Sequence, residues 1–231
     1  AKDPHAMSSS FHLICESSFF FFFLFCLACL MACAWTACEQ NVLARWAASQ
    51  LLPGAVARAG AVYSEVVEEQ PALRQALHLP LQGALPPPAE VCEAVWALAQ
   101  QQLFPHVLPD AGATATAAAA VVDAAWHWSA AMQQKHGSAA TEESAAAFFG
   151  APCWADGRGC LAVVRGIDAA FVPPEAMAAG DDSAAATAAA RVGRLLDTLD
   201  ALGVPALVTG DEVVGGECTP RCWALVVGEL M

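Results

Sequence analysis

Four cysteines in the last third of the chain, Cys153, Cys160, Cys218 and Cys222, are the first residues whose types could do chemistry. Four thiolates could hold a zinc ion, but Cys153-x6-Cys160 and Cys218-x3-Cys222 lack the usual finger spacing. Cys222 also adjoins Trp223 in an apolar helical run, so reduced structural thiols are expected, with no metal and no cofactor. Cys92 stands alone, and Cys15, Cys26, Cys29, Cys33 and Cys38 lie in or beside one apolar segment. A secreted disulfide scaffold would spread them through polar loops. His127 and His136 sit among Trp126, Trp128 and Lys135 without a partner for proton transfer or metal ligation. Ser8-Ser9-Ser10 and Ser183 lack the strand-turn-helix setting of a hydrolase nucleophile. Gly157-x-Gly159 and Gly215-Gly216 carry no Walker lysine and sit in no βαβ pattern, and Asp181-Asp182 reads as an exposed acidic loop. No enzyme is expected.

The elements that would position these residues are helices. The 231 residues are 57 % apolar and 14 % charged, which excludes a disordered acidic tail. Alanine supplies much of the apolar count and favours helix, whereas Tyr occurs once, so an all-β sandwich is disfavoured and an all-α fold is expected. Ten Lys plus Arg against twenty-three Asp plus Glu give a net charge of −13. No basic cluster exists to neutralise phosphates, so nucleic acid is not an expected partner.

Three regions are expected: 1–39, 40–110 and 111–231. In the first, Ser17 to Cys38 is a 22-residue stretch without a charge. As a helix it would span about 33 Å, enough to cross a bilayer. Lys2 is offset by Asp3 and Glu16, which fits a signal peptide less well. A membrane span through residues 17–38 and a mis-predicted exon stay open as readings.

Residues 40–110 read as helices. Val42, Leu43, Trp46, Ala47 and Leu51 recur at helical spacing before Pro53-Gly54. A second stretch covers about Ala55 to Glu69 before Pro71, and a third carries Val91, Val95, Leu98 and Leu103 on one face up to Pro105. Asp110 to Ala120 is an Ala/Thr linker that runs into the next helix.

That helix holds Val121, Val122, Ala125, Trp126, Trp128 and Met132. Thr141 is expected to cap a short helix through Phe148-Phe149, with Gly150 as its left-handed stop. Asp156 is expected to cap a helix through Ile167 whose core face carries Leu161 and Val164. In Ala188 to Leu202, Val192, Leu195, Leu196, Leu199 and Leu202 form one stripe, ended by Gly203 and then Pro205. Thr209-Gly210-Asp211-Glu212 predicts a capping box for a short helix holding Val213 and Val214. Thr219 with Pro220 predicts the start of a last helix, apolar almost all round through Trp223 to Leu230 and therefore buried.

The order of these helices and the words between them resemble a calponin-homology domain over about residues 117–231. One marker is Trp154-x-Asp156-Gly157 followed by Leu161-Ala162-Val163-Val164. The other is Leu199-x-x-Leu202-Gly203-Val204-Pro205, then Leu207-Val208-Thr209-x-x-Glu212-Val213-Val214-x-Gly216 and an apolar terminal helix, most similar to fimbrin (plastin) and filamin-type members. Leu43-x-Arg45-Trp46 faintly resembles the opening helix of another such domain, which makes 40–110 a possible partial unit. Cys160 stands where the family usually places a leucine.

The resemblance implies a non-enzymatic module of the cytoplasm and cytoskeleton that binds or cross-links actin filaments. Its alternatives are a scaffold for a protein partner or microtubules, and a membrane-tethered helical protein. Trp154 and Asp156 would then be structural, and the exposed side of the long helix holding Val121 to Met132, including Lys135, would face the filament. Residues 113–231 hold six Lys plus Arg against fourteen Asp plus Glu, a net of −8, so long-range steering toward an acidic filament would be repulsive.

Overall fold

A helix that is apolar on every side is stable only inside other helices, and the chain ends in such a helix. The computed structural model describes residues 35–51, 61–68, 71–77, 79, 86–106, 115–135, 144–173, 177 and 184–231. Among them no strand occurs. The helices are α1 (Ala37–Leu51), α2 (Pro71–Ala76), α3 (Pro88–Leu103), α4 (Ala115–Gln134), α5 (Ala145–Gly150), α6 (Pro152–Ala155), α7 (Arg158–Ile167), α8 (Ala184–Ala201), α9 (Gly210–Val214) and α10 (Pro220–Leu230), with a π-helical turn at Ser64–Glu68. Residues 17–34 of the hydrophobic stretch, the Ala55–Gly60 part of the second expected helix, Thr141, His136, Asp181-Asp182 and Ser183 lie outside the described residues. No helix among the described residues is long and apolar enough to cross a membrane.

Every residue of α10 from Cys222 to Gly228 is buried, and the helix packs against α1, α3, α4 and α5. The helices of 40–110 and of 111–231 thus share one core, and Thr36–Met231 is one compact unit. Helix α4 packs most extensively on α7. They pack closely at Gly166, where a Cβ would run into the backbone carbonyl of Met132. Only a glycine lets the two backbones come this near.

Several helix boundaries differ from the sequence expectation. Ser144, not Thr141, caps α5: its Oγ accepts from the Ala147 amide at 3.2 Å. Gly150 is not left-handed; the helix stops because Pro152 holds Ala151 extended (φ −64°, ψ 144°). Pro71, read as a stop, opens α2, since a proline at the first helical position costs no hydrogen bond. Helix α8 starts at Ala184, four residues before the expected Ala188.

Candidate functional site

Trp154 is the centre of an aromatic cluster. Its ring lies 5.3 Å from Phe148, 4.8 Å from Phe149 and 4.9 Å from Trp223 on α10. The residue is 1 % exposed, and the cluster fixes α5 and α6 against the closing helix. Gly159 makes room for it, because a Cβ there would sit 2.8 Å from the indole.

Asp156 does not occupy the cap position expected of it. That place falls to Gly157, whose φ of 80° turns the chain into α7. The Asp156 carboxylate accepts instead from the Arg158 amide at 3.1 Å, from Arg158 Nε at 2.7 Å and from Arg191 Nη2 at 3.2 Å. It therefore ties the start of α7 to α8.

The segment from Leu199 to Val214 forms as its sequence predicts. The Gly203 amide donates to the Asp200 carbonyl and the Val204 amide to the Leu199 carbonyl, both at 2.9 Å, with Gly203 at φ 78°. This is a Schellman stop, which satisfies carbonyls the helix leaves open. Thr209 Oγ1 accepts from the Glu212 amide at 3.3 Å, and the Thr209 amide donates to Glu212 Oε2 at 2.8 Å, closing the capping box. Leu199, Val208 and Val213 are buried, while Val214 is 42 % exposed.

Glu212 has a second task that its motif did not announce. Arg45 Nη1 and Nη2 donate to its two oxygens at 2.7 and 2.8 Å. Arg45 also donates from Nη1 to the Leu207 carbonyl and from Nε to the Ala61 carbonyl, both at 2.8 Å. This arginine is 1 % exposed, so its charge is neutralised inside the protein. Burial pushes the Glu212 carboxyl up, but the hydrogen bonds from Arg45 and Thr209 and the Arg45 charge outweigh it and hold the group below its ordinary value.

Thr36 and Glu39 form another reciprocal cap at the start of α1: Thr36 Oγ1 accepts from the Glu39 amide at 3.1 Å, and the Thr36 amide donates to Glu39 Oε2 at 2.9 Å. The spacing Thr36-x-x-Glu39 was the available sequence signal for it. The other Glu39 oxygen accepts from Thr219 Oγ1 at 2.7 Å and lies 3.7 Å from Arg221. Thr219 does precede α10, but its hydroxyl makes no cap to that helix, because it is spent on Glu39. At the far end of the same two helices, Trp46 Nε1 and Gln50 Nε2 donate to Glu229 Oε1 at 2.8 and 3.1 Å. Residues 39, 46 and 50 meet 219 and 229 in rising order, so α1 and α10 run parallel.

Lys135 lies in the turn just past α4, not on the helix, and its ammonium donates to the Gly166 carbonyl at 3.2 Å. It is exposed but already engaged with the end of α7. His127 stacks on Trp126 with ring centroids 4.3 Å apart. A cavity of ≈ 430 Å³ between α8 and the segment after it is lined by Leu199, Val204, Leu207 and Val226 together with Asp197 and Asp200.

Cys153, Cys160, Cys218 and Cys222 do not come together as a metal site, and among the described residues no group of three His, Cys, Asp or Glu could hold a metal ion. Cys222 faces Cys38 instead, sulfur to sulfur at 3.9 Å. Burial pushes Cys160 and Cys92 up to about 12. Compared with protein-family models, with curated proteins and with solved structures, the chain matches none.

Proposed function

We propose that the chain is a calponin-homology-like module without catalytic activity that attaches to actin filaments. The observation behind this reading is that Trp154 is buried against Trp223 of α10, while the block from Leu199 to Val214 forms the helix stop at Gly203 and the Thr209–Glu212 capping box. A module of this kind works by presenting a rigid helical surface, with the charge and shape of that surface setting its partner. Asp156 contributes by holding α7 to α8 through Arg191.

One observation favours the second reading, a scaffold for another protein partner or for microtubules. Lys135, the cation expected to face the filament, is bound to the Gly166 carbonyl, and residues 113–231 carry a net of −8. Pelleting the full chain with filamentous actin, and separately with microtubules, at low and at physiological salt decides between them. Sedimentation with actin at both salts is the expected result. A clean actin supernatant at low salt contradicts actin binding, and pelleting with microtubules alone establishes the second reading.

A further inference from the structure

The first turns of α1 and α10 bring thiols together from opposite ends of the described fold. Cys38 is the second residue of α1 and Cys222 the third of α10, and their sulfurs are 3.9 Å apart although 184 residues separate them in sequence. Both side chains are buried, at 4 % and 1 % exposure. Cys218, four residues before Cys222, is half-buried, and the residues that follow Cys218 and Cys38, Thr219 and Glu39, are joined by a hydrogen bond of 2.7 Å. Cys38 therefore stands between a reachable thiol and a buried one. Glu39, Thr219 and Arg221 frame the same junction, and Thr219 Oγ1 lies 3.6 Å from Cys222 Sγ.

We propose that this cluster is a thiol–disulfide modification site that takes a low-molecular-weight disulfide such as oxidised glutathione and ends as a Cys38–Cys222 bond. Cys218 gives up its proton and attacks one sulfur of the small disulfide. A mixed disulfide forms, and one glutathione leaves as thiolate. Cys38 then loses its proton and attacks the Cys218 sulfur, expelling the second glutathione thiolate. Cys222 in turn attacks the Cys38 sulfur, and Cys218 recovers its thiol with the proton that Cys222 releases. The two protons freed overall end on the two glutathione thiolates. Two protein thiols are oxidised and one small disulfide is reduced.

The buried pair is protected from direct attack. Cys38 and Cys222 are shut away from solvent, whereas Cys218 is only half-buried and is the thiol of the three that a small disulfide meets first. Oxidation must therefore pass through Cys218. The product would fasten the start of α1 to the start of α10, where the Thr219–Glu39 hydrogen bond already joins them.

The test is to hold the full chain in oxidised glutathione, quench with N-ethylmaleimide and map linked peptides by mass spectrometry. The expected result is a Cys38–Cys222 link that dithiothreitol reverses, formed at least tenfold more slowly in Cys218→Ser. Cys222→Ala should stop at Cys38–Cys218, and Cys38→Ala should leave glutathione on Cys218; circular dichroism would confirm that both variants are folded. Absence of the Cys38–Cys222 link in the wild-type chain, or its formation at an unchanged rate in Cys218→Ser, overturns the proposal.

Discussion

Arg45 and Glu212, 167 residues apart, are joined by two parallel hydrogen bonds of 2.7 and 2.8 Å in a place where neither side chain is more than 10 % exposed. A buried ion pair contributes little net stability over an apolar pair of the same size, but losing one partner strands the other charge. The capping box makes this pair specific. Glu212 is already fixed at the third position of α9 by Thr209, so Arg45 meets a carboxylate whose geometry is set in advance. The pair therefore fixes where α1 sits against the segment leading into α10.

Trp154 is, with Trp46 and Trp223, one of three fully buried tryptophans that the sequence pattern singled out. Replacing it by alanine removes a side chain that touches Phe148, Phe149 and Trp223, and should cost about 3–5 kcal/mol. Trp154→Phe should cost distinctly less, because an aromatic ring remains in the cluster. Urea denaturation followed by far-ultraviolet circular dichroism measures both losses.

The contact between α4 and α7 rests on one missing methyl group. Gly166→Ala places a Cβ against the Met132 carbonyl and must push the helices apart, at a cost of about 1–3 kcal/mol. Gly193→Ala is the control, since nothing lies within 4 Å of a Cβ at that position, and it should be neutral or slightly stabilising. Thermal melts of the two variants should move in opposite directions or differ by several degrees.

Stability should pass through a maximum in mildly acidic solution. Burial raises the Glu229 carboxyl, against the lowering effect of the Trp46 hydrogen bond. Between its folded value and the ordinary 4.5, the native state holds the extra proton, so stability rises as pH falls. Glu212 acts the other way. Its folded value lies below 4.5, so its contribution is intact above that pH and is lost as pH falls through the folded value. Urea midpoints measured from pH 8 to pH 3 should rise, then fall. In Glu229→Gln the rising part should vanish, and the variant should gain less than about 1 kcal/mol at pH 7, since solvent screens a partly exposed carboxylate.

The parts of the fold legible in the sequence are those decided locally. Gly203 followed by Pro205 marked the end of α8, Thr209-x-x-Glu212 marked α9, and the unbroken apolar run marked α10, because each depends on residues within one or two turns. The boundaries that differ were decided by neighbours in space or by a following proline. Thr219 precedes α10 as expected, but Glu39 competes for its hydroxyl, and Pro152 ends α5 where a glycine was expected to.

In the sequence Arg45 belongs to Leu43-x-Arg45-Trp46, a charge within an apolar stripe. Its partner could not be read from that stripe, because the pairing spans most of the chain. The facing of Cys38 and Cys222 was hidden for the same reason. Lys135, expected to face the filament, is tied down by a carbonyl of another helix.

The fold depends most on α1 belonging to the same core as the block from Trp154 to Leu230. A double-mutant cycle of Arg45→Met and Glu212→Gln, the latter keeping a residue able to close the capping box, tests this most directly by urea denaturation. A coupling of about 1–3 kcal/mol in a single cooperative transition is predicted. Additive effects with no coupling, or two separate transitions for α1 and the remainder, would contradict it.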